Sequence, residues 1–226
     1  MAEISDQIAA QMLINTITAS VLIKAGHNSL KTPITLPLYI LQNAAASGVG
    51  RLLTQVALDR SVRPIHMVRS NQSAERLRSV LPGPPVFSTS DSNWKKQVRE
   101  ALGGYKLEVA FDAIGGKAID DLAEVIDDGG TIINFGSLGS NMGTNIYSLV
   151  PNNVALKSVS ILSWFRLPDA EKQKDFELAL SLATHHPELF EVAHEYEFGD
   201  FQKAIQRVSR PGNTGIVLLK SPASEG

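Results

Sequence analysis

The sequence predicts an α/β fold, a doubly wound parallel sheet of about six strands with helices on both faces. Three features carry that prediction. Short apolar runs rich in Val and Ile alternate, from Leu38 to Trp164, with stretches whose apolar residues recur at helical spacing. Glycine or proline clusters close one unit before the next begins, as at Leu81-Pro82-Gly83-Pro84-Pro85 and Asp127-Asp128-Gly129-Gly130. A strand, a covering helix and a further strand make a right-handed crossover, which sets the strands parallel and buries both faces of the sheet.

Taken in order, Leu38–Gln42 reads as a short buried strand, Asn43–Gly50 as a small-residue turn and Arg51–Asp59 as a helix. Pro64–Val68 is the second strand, and Ser73–Val80 a polar helix stopped by the proline cluster. Val86–Ser88 follows as a third strand, Ser92–Leu102 as a helix with Ser or Asp near its cap, and Leu107–Asp112 as a fourth strand running into Ile114-Gly115-Gly116. Ala118–Ile126 is the next helix, Thr131–Phe135 a fifth strand closed by Gly136, and Ser158–Trp164 a sixth strand. A long helix, Asp169–Thr184, an alternating strand, Glu191–Phe198, a helix, Phe201–Val208, and a last strand, Ile216–Lys220, complete the chain.

The 226 residues suffice for one large domain, or for one domain with part of another. Lys and Arg total 21 against 23 Asp and Glu, a net charge of -2 that supplies no field for nucleic acid or an anionic membrane. With 43% hydrophobic and 19% charged residues, the composition is that of a folded, soluble protein. The absence of cysteine removes disulfides, thiolate nucleophiles and cysteine-built zinc sites. Met1–Leu13 lacks a basic stretch followed by an apolar run, and no segment reads as the ~20 apolar residues of a membrane span. The expected location is intracellular, cytoplasmic or alternatively mitochondrial.

The turn after the first strand carries the chemical signal. In a Rossmann-type domain this turn needs small residues, so that amides at a helix N-terminus can approach a dinucleotide's pyrophosphate. Ala45-Ala46-Ser47-Gly48-Val49-Gly50 occupies that place. Against the template G-x-G-x-x-G, Ala45 and Ser47 stand for the first two glycines and Gly50 supplies the third, where helix and strand pack too closely for a side chain. The plain alternative is a packing turn before an ordinary helix. Its setting after the first strand of an alternating unit favours the cofactor reading.

The same template places an acidic residue about twenty positions further on, at the end of the second strand, to accept the ribose hydroxyls of NAD. Here that place holds Arg69-Ser70-Asn71. A carboxylate repels a 2'-phosphate, whereas a guanidinium binds it through a charge-assisted fork and a serine hydroxyl donates to it. The reading is therefore NADPH rather than NADH, set against the alternative of a solvated surface arginine.

Gln42–Ala57, QNAAASGVGRLLTQVA, resembles the corresponding stretch of the mitochondrial trans-2-enoyl thioester reductases and the related quinone oxidoreductases, in the zinc-free branch of the medium-chain dehydrogenase/reductase superfamily. Asn15-Thr16-Ile17-Thr18-Ala19 is similar to the Asn-Pro-x-Thr-Ala segment those enzymes place just before the nucleotide-binding domain, with Thr16 where proline is usual. Arg69-Ser70-Asn71 resembles their 2'-phosphate patch. Phe111-Asp112-Ala113-Ile114-Gly115-Gly116 and Asn134-Phe135-Gly136-Ser137 resemble the loops that run beside the nicotinamide ribose. The resemblance reaches the final Thr214-Gly215-Ile216-Val217-Leu218-Leu219, where the enoyl reductases carry a cofactor-contacting Lys in place of Gly215.

The resemblance implies that NADPH is held by Asn15, by Ala45 to Gly50, by Arg69, Ser70 and Asn71, by Ile114 and Gly115, and by Phe135, Gly136, Ser137 and Leu138. It implies hydride transfer from NADPH to the β-carbon of an enoyl thioester or a conjugated ketone or quinone, with no metal. Residues 1–30 would be the end of a catalytic domain and a linking helix, 31–185 the Rossmann NADP-binding domain, and 186–226 a remnant belonging to or packing on the catalytic domain. The family's N-terminal domain holds its tyrosine for proton donation or substrate positioning, so neither Tyr39 nor Tyr105 inherits that role and the catalytic residues are left unnamed. The expectation is cofactor binding without efficient turnover by this stretch alone; the alternative is a non-catalytic nucleotide-sensing or assembly module.

Other polar residues read as structural. His185 and His186 stand at a helix end, and His27 and His66 have no partner at triad-like spacing. Asp112 at a strand end reads as a turn or helix cap before a general base. Trp164 and Phe165, after the sixth strand, could meet a nicotinamide or pack a dimer seam, and read as core or interface packing before a cofactor contact. The sixth strand is an edge, and a homodimer paired there, near Ser158 to Trp164, is the expected assembly.

Overall fold

The computed structural model describes residues 4–31, 37–139, 143–209 and 215–221. Thr214, named above with the closing strand, and Met1 of the leading segment lie outside these residues. The elements run α1 (Asp6–His27), β1 (Leu38–Gln42), α2 (Gly48–Leu58), β2 (Val62–Val68), α3 (Asn71–Val80), β3 (Val86–Ser88), α4 (Trp94–Leu102), β4 (Leu107–Asp112), α5 (Lys117–Ala123), β5 (Thr131–Asn134), β6 (Ala155–Ser158), α6 (Asp169–His185), β7 (Val192–Glu197), α7 (Phe201–Val208) and β8 (Ile216–Lys220). β1 to β6 form one all-parallel sheet in the order β3-β2-β1-β4-β5-β6, and β7 and β8 pair parallel in a second, two-stranded sheet. The chain steps outward from β1 to β3, then crosses back to β4 on the other side of β1. That reversal opens a crevice at the C-terminal ends of β1 and β4.

Alternation along the strands feeds two separate cores. Ile40, Val109, Phe111 and Ile133 face α1, α2, α3 and α6, packing with Leu22, Leu53, Val56, Leu77 and Leu182. Leu41, Ala110 and Ile132 face the other way, onto Trp94, Val98 and Leu102 of α4 and Ile119 and Leu122 of α5. A sheet covered on both faces must be apolar on both, which is why these strands read as continuous apolar runs.

Two expectations are corrected here. The sixth strand is Ala155–Ser158, not Ser158–Trp164; Ser160 caps a 3-10 turn, Ile161–Arg166, through its hydroxyl. β6 takes its place because Ala155 to Ser158 pair in register with Thr131 to Asn134. Trp164 is then buried by its own chain, its indole N–H donating to Asp175 at 2.9 Å, so it forms no edge. The second correction concerns α1, whose 22 residues are long and apolar enough to cross a membrane by length and composition. Here its apolar face lies on the domain. Gly26 lets it approach β4 so closely that a Cβ there would come within 2.9 Å of the Phe111 ring, and buried Asp175 of α6 accepts from Ser20 (2.6 Å) and Lys24 (3.0 Å) of α1.

The second sheet is tied to the first by side chains. Arg51 of α2, itself buried, donates from Nε to the Leu189 carbonyl at 3.1 Å and from Nη1 to Glu191 at 2.7 Å. Gln11 of α1 donates to the Phe190 carbonyl at 3.0 Å.

Between β1, β2 and α2 lies a buried polar trio. Gln42 Nε2 donates to Thr54 Oγ1 at 2.8 Å and lies 3.2 Å from His66 Nδ1, while His66 Nε2 lies 3.3 Å from Thr54 Oγ1, which in turn donates to the Gly50 carbonyl. This network suits a neutral ring protonated on Nε2. Burial lowers the His66 pKa from its usual 6.5 to about 4. The unfolded chain therefore binds a proton that the folded chain refuses between those values, so stability is full above pH 6.5 and falls as pH drops toward 4. The expected loss from this one group is roughly 3 kcal/mol. Denaturant melts of wild type and His66→Gln across that window check it: the wild type should lose more stability than the variant on acidification, and equal losses would refute the assignment.

Candidate functional site

The crevice is built from the segments that leave the parallel strands at one edge of the sheet. The strands end within two residues of one another: Gln42, the end of β1, stands opposite His66 of β2, which runs on to Val68, and opposite Phe111, one residue before the end of β4, while Asp112 stands opposite Asn134, the end of β5. Parallel strands ending this close together bring the loops after β1, β2, β4 and β5 to the same edge of the sheet.

After β1, Ala44 takes a positive φ of 50° and turns the chain into α2, whose N-cap Ser47 accepts from the Gly50 amide at 3.1 Å. A Cβ on Gly50 would stand 2.7 Å from the carbonyl oxygens of both Ala44 and Ala45, so the turn closes on the helix only with glycine there. Gly48 is also enclosed: a Cβ would meet Asn15 Nδ2 at 3.1 Å and Ile216 Cδ1 at 3.3 Å. Asn15 of α1 and Ile216 of β8 thus wall the start of α2. Ala45 is fully buried and Ala46 and Val49 partly so. Among the described residues, the amides of Gly48 and Val49 have no hydrogen-bond acceptor. They form the positive end of an 11-residue helix, a place suited to an anion.

After β2, Arg69 is exposed, and no hydrogen bond or ion pair engages it among the described residues. Ser70 is the N-cap of α3, accepting from the Ser73 amide at 3.2 Å and lying 3.0 Å from the Ser73 hydroxyl. Asn71 is exposed in the first turn of that helix. The sequence points Ser70 only toward a ligand; the structure also makes it the N-cap of α3, its hydroxyl accepting from the Ser73 amide.

After β4, Gly115 and Gly116 take φ of 78° and 57°, conformations that favour glycine. The loop after β5 runs beside them, with Leu138 donating to the Ala113 carbonyl and Gly139 to that of Ile114, each at 2.9 Å. Gly136 lies so near Ala113 that a Cβ would come within 3.0 Å of its carbonyl. Phe135 and Gly136 are half-buried, and Ser137 and Leu138 are exposed at the rim. The β4 and β5 loops therefore form one wall.

Three polar residues that the sequence reading did not assign to the site bind the walls together. Asp112, wholly buried, accepts from Asn43 Nδ2 after β1, from Asn134 Nδ2 on β5 (2.6 Å), and from the amides of Ile114 (3.1 Å) and Gly115 (3.0 Å). Asn43 closes the link in the other direction, its Oδ1 accepting from the Ala113 amide at 2.8 Å. Asn134 also donates to the Gly136 carbonyl at 2.8 Å. Asp112 does cap the turn, as its position suggested, but its cross-strand bonds were not foreseen. The signal in the sequence is an asparagine directly after the apolar run of β1, Asn43, and one at the end of β5, Asn134.

The family model described as zinc-binding dehydrogenase matches residues 48–185, more than half of the chain. The chain belongs to the zinc-binding dehydrogenase family. A mitochondrial enoyl-[acyl-carrier-protein] reductase of Caenorhabditis elegans is 28% identical over 165 residues, which are 70% of this chain and 46% of that protein. A protein of Schizosaccharomyces pombe named probable quinone oxidoreductase is 28% identical over 131 residues, 58% of this chain and 37% of its own. A crystal structure of a Bacillus thuringiensis protein, a putative NADPH:quinone reductase by its name, superposes with a TM-score of 0.81 at 25% identity, covering 96% of this chain and 65% of that one. The chain thus spans about half the length of the curated relatives it matches. The donors for the metal in the family's name do not fit here: the chain has no cysteine, and no group of three or more His, Asp or Glu able to hold an ion forms among the described residues.

Proposed function

We propose that this chain is the NADPH-binding part of an oxidoreductase that passes hydride to an enoyl thioester or a conjugated ketone or quinone. The single observation that carries the reading is the pair of free amides of Gly48 and Val49, at the start of α2 and beside the strand-order reversal. They would receive the pyrophosphate, with Ala45, Ala46 and Ser47 allowing its approach. Arg69, cationic and unengaged, would pair with the 2'-phosphate, and Ser70 and Asn71 would flank it. Ile114 and Gly115, together with Phe135, Gly136, Ser137 and Leu138 on the same wall, would line the nicotinamide half, and Asn15 would close the crevice over Gly48. When bound, NADPH supplies the hydride; the chain's own residues bind it, orient it and shed water from the Phe135 side of the crevice.

The relatives' printed names support the same substrate class. A domain plan goes with the proposal: residues 1–30 end a catalytic domain and link to it, 31–185 bind the nucleotide, and 186–226 belong to or pack on the catalytic domain. By itself this stretch would bind cofactor without efficient turnover. An intracellular location, cytoplasmic or, as the nematode relative's name has it, mitochondrial, fits the reading. We place a homodimer seam along β6, an unpaired edge whose four residues are all exposed beside exposed Leu162 and Phe165.

Titration of the purified chain with NADPH and NADH, repeated on Arg69→Ala, tests the cofactor assignment. Wild type should prefer NADPH, and the variant should bind NADPH at least tenfold more weakly with NADH affinity unchanged, the scale of one lost charge-assisted contact. An unaltered preference in the variant would remove Arg69 from the site. Light scattering on the same samples should give twice the chain mass, and a strict monomer at high concentration would remove the β6 seam.

A further inference from the structure

The Asp112 carboxylate is buried to zero exposure, and no Lys, Arg or His pairs with it among the described residues. A lone buried carboxylate is costly unless donors surround it. Here its donors come from three segments. Oδ1 accepts from Asn43 Nδ2 and from the amides of Ile114 and Gly115; Oδ2 accepts from Asn134 Nδ2 and from Gly115 again. Asn43 belongs to the turn entering α2, Ile114 and Gly115 to the loop after β4, and Asn134 to the strand leading into Phe135-Gly136. Both asparagines then grip a further loop atom, the Ala113 amide and the Gly136 carbonyl. The turn after β1 and the wall made by the β4 and β5 loops are therefore fastened to one pair of fully buried oxygens.

We propose that Asp112 is a positioning residue for the cofactor crevice: it sets the separation between the pyrophosphate-facing turn and the two nicotinamide-facing loops without touching the cofactor. This rests on the reading of the crevice as a dinucleotide site. Asparagine at 112 has the same shape but turns one acceptor into a donor, which then faces the donating amides of Asn134 or Asn43. That mismatch releases one wall from another while leaving the apolar cores unchanged.

Two measurements test the idea on the full chain. In the ligand-free protein, amide hydrogen exchange in Asp112→Asn should quicken together at Asn43–Ser47, Ala113–Gly116 and Phe135–Leu138, with α6 unchanged. Titration should then show NADPH and NADH both weakened at least tenfold, with their ratio as in wild type, because the 2'-phosphate contact at Arg69 is untouched. Should that variant fold poorly, Asn43→Ala, Asn134→Ala and the double variant replace it. The two single losses should be non-additive in nucleotide affinity, since both act through one carboxylate. Wild-type nucleotide affinity in a folded Asp112→Asn, or strict additivity of the asparagine pair, would overturn the positioning role alone. A wild type that binds neither nucleotide would overturn the dinucleotide reading and this proposal with it.

Discussion

One buried carboxylate holds the crevice in shape. Parallel strands deliver their loops to a common edge, where strand pairing stops at Gln42, Asp112 and Asn134; past those rungs backbone bonds join the β4 and β5 loops, Leu138 to Ala113 and Gly139 to Ile114, and Asn43 donates to the Phe111 carbonyl. Asp112 extends the order past the last rung. Its side chain takes the place of backbone acceptors for the amides of Ile114 and Gly115, and it crosses to Asn43 and Asn134 on either side. Hydrogen bonds to a charged acceptor are about twice as strong as neutral ones, and in a dry site the cost of leaving one unmade is high. The arrangement is therefore close to all-or-none, which is what a site for an extended, multiply contacted ligand requires.

Close packing complements that polar fastening. Gly50 and Gly136 are positions where the next atom of a side chain would run into a carbonyl, and Gly26 is where α1 meets Phe111. These contacts pull α1 and α2 against the sheet, and among the described residues the amides of Gly48 and Val49 at the start of α2 have no hydrogen-bond acceptor. The C-terminal segment closes the circuit through Arg51, whose buried guanidinium reaches Leu189 and Glu191, and Ile216 stands over Gly48. The crevice and the second sheet are thus joined at α2.

Much of this was legible in the sequence for identifiable reasons. Strands covered on both faces must be apolar throughout, so Leu38–Gln42, Val86–Ser88 and Leu107–Asp112 were found with their observed ends. Glycine turns at Gly48–Gly50 and Gly115–Gly116 mark where the chain must approach a neighbour or adopt positive φ. The exposed edge Ala155-Leu156-Lys157-Ser158 has no apolar pattern to mark it as β6, whereas Val159 to Trp164 does; that stretch instead forms a 3-10 turn whose Trp164 is buried against Asp175. α1 was read only as a linking helix, since its burial depends on partners far away in the chain. Asn43, Asp112 and Asn134 escaped for the same reason: their meeting depends on strand order, which spacing in the sequence does not encode.

The most direct test is amide hydrogen exchange of the whole chain with and without saturating NADPH. If the crevice is the dinucleotide site, exchange slows at Gly48 and Val49, at Ala113–Gly116 and at Phe135–Leu138, with β7 and β8 little changed. Protection confined to other segments, or none at all, would contradict that reading.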